Sequence, residues 1–156
     1  MKYYSLNHTS KNTLFHDAVV RGLAPDRGLY FPEKIPKLPQ FFFDNIENMS
    51  IPEMAYKIIK PYVGNQILKE KLMDIVSETL NFDFPIVEIT DKIAALELFQ
   101  GPTLAFKDVG ARFMALSLEH LNKNSNAKIT VLVATSGDTG GAVANGFLGV
   151  KGIDVV

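Results

Sequence analysis

No cysteine occurs among the 156 residues. Disulfides and thiolate metal sites are therefore excluded. Histidine is scarce, and His8, His16 and His120 show no ligand spacing, so no metal centre is expected. Charge of one sign is missing as well. Lysine and arginine number 16 against 17 aspartates and glutamates, a formal net charge of −1. No basic stripe offers nucleic acid a surface, and no charged block marks a tail. No apolar run reaches the roughly 18 residues of a membrane span. The opening Met1-Lys2-Tyr3-Tyr4-Ser5-Leu6-Asn7-His8 has no signal-peptide core. Internal repeats and low-complexity stretches are absent. What is there is an ordinary globular composition, 47% hydrophobic and 21% charged, at a length suited to one domain or slightly more. These features predict a cytoplasmic protein that binds neither membrane nor nucleic acid.

The most informative stretch is Leu96 to Asp108, read as a strand, a tight turn and a helix start. Leu96 to Phe99 is apolar enough for a buried strand, and Gly101-Pro102 breaks it. Thr103 can cap the helix that follows. Phe106, Val109, Phe113, Leu116 and His120 recur at helical spacing. Lys107 then falls in the first turn, among apolar neighbours. The helix dipole and burial both disfavour an ammonium ion there. Both favour the neutral amine, which attacks an aldehyde to give a Schiff base. By spacing alone, a lysine that reaches solvent beside Asp108 is the commoner outcome.

A second loop, Thr135-Ser136-Gly137-Asp138-Thr139-Gly140-Gly141, lies between a β-rich run, Lys128 to Ala134, and a helix expected over Ala142 to Leu148. Ile153 to Val156 reads as the next strand. Strand, helix, strand in this space is a βαβ unit with parallel strands. Such strands are usually buried on both faces, as Val131-Leu132-Val133 would suit. The loop offers backbone N–H groups and hydroxyls at a helix N-terminus, a place for a carboxylate or phosphate. A plain connection capped by Asp138 or Thr139 fits the same residues. The glycine spacing matches neither a Walker A loop nor a dinucleotide fingerprint.

Elsewhere, Lys2 to Leu6 reads as a short strand. A helix capped by Thr13 or Asn12 runs to Gly22 with Leu14, Ala18 and Val19 inward. Ala24 to Gly28 is a turn, Leu29-Tyr30-Phe31 is extended, and Pro32, Pro36 and Pro39 oppose regular structure. Helix-like composition covers Gln40 to Glu47, Ile51 to Pro61 and Asn65 to Thr79. The second of these carries an apolar stripe of Met54, Ala55, Ile58 and Ile59. The third carries Ile67, Leu68, Leu72, Ile75 and Val76. Residues 1–80 are read as an N-terminal segment and helical cap. Asn81 to Pro85 is read as the junction. Residues 81–156 are read as an α/β domain, with strands at Ile86 to Ile89 and Ile93 to Phe99 around Asp91-Lys92. A polar loop is expected over Asn122 to Asn126.

As a string, Gly101-Pro102-Thr103-Leu104-Ala105-Phe106-Lys107-Asp108 resembles the cofactor-lysine motif of threonine synthases. These are pyridoxal-phosphate (PLP) enzymes of the tryptophan-synthase-β fold type, fold-type II. Ala134 to Gly140 resembles their substrate-carboxylate loop, and Gly28-Leu29-Tyr30-Phe31-Pro32 resembles their N-terminal segment. The resemblance implies conversion of O-phospho-L-homoserine and water to L-threonine and phosphate. It implies that Lys107 carries PLP and that Phe106 packs near the cofactor ring. Thr135, Ser136, Gly137, Asp138 and Thr139 would bind the substrate carboxylate, and Arg112 the substrate phosphate. For Phe106 a core role, and for Arg112 a solvated position or a pairing with Asp108, compete on equal or better terms. Many relatives of the fold type carry Asn where this chain has Asp138, and Asp there favours the threonine synthase branch. Other members of the fold type, serine/threonine dehydratase or O-acetylserine sulfhydrylase, remain alternatives, as does a non-catalytic anion-binding or interaction domain. The family is longer, with its cofactor-phosphate loop and pyridine-nitrogen partner in a C-terminal part. The chain is thus expected to be an N-terminal portion that is inactive alone and self-associates along an unfinished sheet edge.

Overall fold

A computed structural model describes residues 1–123 and 128–156. The Asn124-Ser125-Asn126 part of the expected polar loop lies outside the described residues. The chain forms two compact units, Met1–Val76 and Ser77–Val156. Its secondary structure mixes helices with small two-stranded sheets. No helix among the described residues is long and apolar enough to cross a membrane.

In the first unit, β1 (Tyr3–Ser5) pairs antiparallel with β2 (Tyr30–Pro32). Between them lies α1 (Phe15–Arg21), which ends at Gly22 with φ 69°. Neither Asn12 nor Thr13 caps this helix, because Leu14 occupies the cap position without a side-chain bond. Thr13 instead exchanges backbone bonds with Tyr3 and gives its hydroxyl proton to Asp17. Leu14, expected inward, is exposed, and Phe15 and Ala18 are the buried anchors.

The Ala24–Gly28 turn is organised by Asp26. Its carboxylate accepts from Ser5 Oγ, Thr9 N and Oγ1, Ser10 N and Gly28 N. Gly28 must be glycine here, since a Cβ would lie 2.0 Å from Ser5 Oγ.

The helices follow as α2 (Gln40–Asp44), a short 3₁₀ turn (Ile46–Asn48), α3 (Ile51–Val63) and α4 (Lys69–Thr79). α3 starts on a capping box in which Ser50 and Glu53 satisfy each other's backbone N–H. Lys60 Nζ donates to the carbonyls of Gly64 and Ile67 beyond its end. Val63, Ile67, Leu72, Ile75 and Val76 form the buried centre, each no more than 2% exposed. Leu68, read as part of that stripe, is exposed because it precedes α4. On α3, Ile58 also faces outward.

In the second unit, β3 (Ile86–Thr90) and β4 (Ile93–Leu96) form an antiparallel hairpin turning at Asp91-Lys92, with an irregularity between Glu88 and Thr90. The expected strand over Leu96 to Phe99 is corrected. Pairing stops at Leu96, and Leu96, Leu98 and Phe99 are exposed. The chain then turns into α5 (Lys107–Asn122) and continues through β5 (Ile129–Val131), α6 (Asp138–Phe147) and β6 (Ile153–Val155). β5 and β6 are parallel, with Ile129 opposite Ile153 and Val131 opposite Val155, so the βαβ unit is present. Burial on both faces is not, because the sheet has two strands and Leu132 is 78% exposed.

α5 and α6 pack through small residues. Ala115 and Ala142 are buried, and Gly146 meets the Ala111 backbone. The fully buried positions of α5 therefore include Asp108, Ala115, Leu118 and Asn122. In the stripe expected from Phe106 to His120, Val109, Phe113, Leu116 and His120 are partly buried and Phe106 is exposed.

Candidate active site

The Lys107 turn is built by a short sequence with little freedom. Gly101 to Phe106 is a series of turns, and Leu104 N donates to Gly101 O at 3.0 Å. Leu104 has φ 57°, a left-handed conformation that a leucine rarely adopts. Phe106 stands at the α5 cap position with no side-chain bond. Thr103, expected as the cap, points its hydrogen bonds elsewhere. Its N–H donates to Asp108 Oδ2 at 2.9 Å and its hydroxyl to Asp108 Oδ1 at 2.6 Å. Asp108 is fully buried, whereas its neighbour Lys107 is exposed. Of the two placements open to Lys107, the solvent-reaching one is found and the buried one is corrected. Its helix-start position holds, but its amine faces outward and is open to a carbonyl reagent. Phe106, 62% exposed, and Leu104, 74% exposed, are apolar side chains left open to solvent in the same turn.

The small-residue loop sits at the start of α6, which begins at Asp138, earlier than the Ala142 expected. Thr135, Ser136, Gly137, Asp138 and Thr139 are all exposed. Gly137 N donates to Thr135 Oγ1 at 3.2 Å, closing the turn. No side chain caps α6. Asp138 and Thr139 are thus not the capping residues of a plain connection. The first N–H groups of the helix stay available to an anion. A Cβ at Gly140 would lie 2.4 Å from Thr135 Cγ2, so a larger residue there would require the Thr135 side chain to move.

These two features meet. A Cβ on Gly141, in the first turn of α6, would lie 4.0 Å from Thr103 Cβ in the turn before α5. Further along, Gly146 in the last turn of α6 packs on Ala111 in the second turn of α5. The βαβ connection and the small residues of both helices therefore bring the lysine turn and the hydroxyl-rich loop to one end of the unit.

Arg112 is placed differently. Its Nη2 donates to the backbone carbonyl of Glu78 and, at 3.0 Å, to Glu78 Oε1. Its guanidinium lies 6.0 Å from the centre of the Phe82 ring. Glu78 is in the last turn of α4, so Arg112 satisfies a helix C-terminus with a cation. Asp108 is not its partner, and a phosphate would have to displace Glu78. The residues missed by sequence reasoning are Thr103 and Asp108 as a mutual pair. Their signal was present: a threonine in the turn and an aspartate in the first helical turn, which supplies the back-reaching carboxylate of a capping box without its reciprocal bond.

Comparison with known proteins gives a consistent result. Residues 2–80 match the family described as "Threonine synthase N terminus". The threonine synthase of Buchnera aphidicola is 41% identical over 157 residues, covering 100% of this chain and 36% of that protein. The crystal structure of threonine synthase from Escherichia coli superposes with a TM-score of 0.91 at 37% identity, covering 99% of this chain and 36% of that one. The PLP-bound threonine synthase from Brucella melitensis gives a TM-score of 0.93 at 34% identity, covering 99% and 34%. The chain thus spans about a third of the length of the relatives it matches.

Proposed function

Because this chain belongs to the threonine synthase N-terminus family, we propose that it is the N-terminal part of a threonine synthase, acting on O-phospho-L-homoserine with PLP. The observation that carries this reading is the outward-facing Lys107 at a helix start beside the uncapped, hydroxyl-rich start of α6. In this proposal the helical cap of residues 1–80 and the βαβ domain of residues 81–156 are parts of a fold-type II enzyme working in the cytoplasm.

The residues present suit PLP. An exposed primary amine can bond an aldehyde, and the exposed face of Phe106 can lie against a flat ring. When bound, PLP supplies an electron sink for carbanionic chemistry next to the substrate amine. Lys107 Nζ would hold the cofactor covalently. Released by the substrate amine, Nζ would take and return protons at the substrate Cα and the adjoining carbons. Thr135, Ser136 and Thr139 would offer hydroxyls, and the N–H groups of Gly137, Asp138 and Thr139 would face the substrate carboxylate, favoured by the positive end of the α6 dipole. Asp138 occupies the first helical position, where a carboxylate is favoured by the same dipole. Arg112 keeps Glu78 in this proposal, and phosphate recognition is assigned to no residue described above.

The test is phosphate release and threonine formation from O-phospho-L-homoserine by the full-length enzyme that carries this chain. Replacing the substrate by L-serine or O-acetylserine distinguishes the dehydratase and sulfhydrylase activities of other fold-type II enzymes. Turnover of either with none of O-phospho-L-homoserine would refute the assignment.

A further inference from the structure

Asp108 is spent on a single residue. Both of its carboxyl oxygens accept from Thr103, one from the N–H at 2.9 Å and one from the hydroxyl at 2.6 Å. The group is fully buried, so these two bonds offset the loss of water. It does not cap the N–H groups of its own helix, which is what an acidic residue in a first turn ordinarily does. It reaches backward and draws the preceding turn over itself. Gly101 is pulled so close that a Cβ there would lie 2.5 Å from Asp108 Oδ2. Within the same turn Leu104 is held at φ 57°, a conformation that costs a non-glycine residue free energy and persists only when neighbouring contacts impose it. The turn is therefore held from outside, by Asp108.

Thr103 has a second neighbour. Its Cβ faces Gly141 in the first turn of α6, where a Cβ would sit at 4.0 Å. One side of Thr103 is thus fixed by the residue following Lys107, and the other meets the helix that starts on the Thr135–Thr139 loop. We propose that Asp108 is a positioning residue for Lys107. Through Thr103 it sets the register between the lysine's helix start and the carboxylate-binding loop. This inference rests on the reading of Lys107 as the cofactor lysine. Asp108 itself touches neither substrate nor cofactor. Its effect is to keep the lysine amine and the bound carboxylate at a fixed separation, and reaction rates fall steeply with misplacement of this kind.

The test uses the full-length enzyme carrying this chain, with Asp108→Asn, Thr103→Val and the conservative Thr103→Ser. Three quantities are read: cofactor trapped on Lys107 by borohydride, kcat and KM for O-phospho-L-homoserine, and hydrogen exchange of the residue 103 and 104 amides. Asp108→Asn should speed exchange at both amides. Asp108→Asn and Thr103→Val should keep the cofactor on Lys107 yet lower kcat by about tenfold or more, the size of one lost hydrogen bond to a charged group. Thr103→Ser should restore kcat. A purely structural role would lower the melting temperature while the folded, cofactor-loaded variants kept their kcat, and that result overturns the proposal. Should Asp108→Asn fail to fold, Thr103→Val decides alone, because it removes one hydroxyl and keeps the side-chain volume. Absence of cofactor from Lys107 in the unmodified enzyme is a separate failure. It refutes the functional reading and this inference with it. Trapping on Lys107 with unchanged kcat refutes this inference alone.

Discussion

Gly146 of α6 lies against the backbone of Ala111 in α5, where a Cβ would come within 3.1 Å of the Ala111 carbonyl carbon and 3.2 Å of Arg112 N. Backbone cannot step aside as a flexible side chain can. Gly146→Val should force the two helices apart and destabilise the second unit by roughly 1–3 kcal/mol, the usual cost of overpacking. A urea titration followed by circular dichroism reads this directly. An unchanged midpoint would show that the helices are not in contact at this position. The same change should disturb the site, since Gly146 packs against the second turn of α5, the helix that opens on Lys107.

Much of the fold could be read from the residues. The parallel βαβ unit follows from the alternation of β-rich and helical stretches, and the hairpin follows from Asp91-Lys92 between two apolar runs. What escaped were positions decided by partners far along the chain. Leu96 to Phe99 has the composition of a buried strand, but composition cannot say that pairing ends at Leu96. The α5 stripe was chosen by bulk, whereas α5 and α6 approach closely where Gly146 meets Ala111, and small residues, Ala115 and Ala142, are among those buried on the two helices. At the site, the motif identified Lys107 by its place in a string. Spacing alone favours a lysine that reaches solvent, as found, whereas the motif itself fits a buried or an outward amine. Asp108 reads in the sequence as a neighbour of Lys107 and a candidate partner of Arg112, and is instead the buried partner of Thr103.

The opening segment shows the same limit in its polar residues, which periodicity treats as surface. Asp26 accepts from Ser5, Gly28, Thr9 and Ser10. These bonds, the Ser5 hydroxyl first among them, hold its carboxyl well below the usual carboxylate range. A depressed folded-state pKa adds stability that is fully present above the unfolded value of about 3.9 and is lost as pH falls through the folded value. Asp17, bonded by His16 and Thr13, and Glu53, bonded by Ser50, shift in the same direction. The first unit should therefore lose stability progressively below about pH 4. Asp26→Asn should remove a large part of that acid dependence and lower the melting temperature at neutral pH. Melting curves from pH 7 to 2 check both, and a variant whose pH dependence matches the parent would contradict the role given to Asp26.

The Thr135–Thr139 loop is testable through one hydroxyl. In the full-length enzyme, Ser136→Ala removes a hydroxyl proposed to donate to the substrate carboxylate, without altering the α6 N–H groups. Substrate binding should weaken by roughly 1.5–3 kcal/mol, the value of a hydrogen bond to a charged group. Cofactor binding should be unaffected. Substrate titration monitored by the cofactor's visible absorbance separates the two effects. Equal substrate affinity in parent and variant would remove Ser136 from the site.

Lys107 is the centre of the account, and one measurement addresses it most directly. The full-length enzyme carrying this chain is incubated with PLP, reduced with borohydride, digested and mapped by mass spectrometry. The expected result is a pyridoxyl group on the peptide containing Lys107, absent from the Lys107→Ala variant. An adduct on another lysine that persists in that variant, with residue 107 unlabelled in the parent, would contradict the assignment.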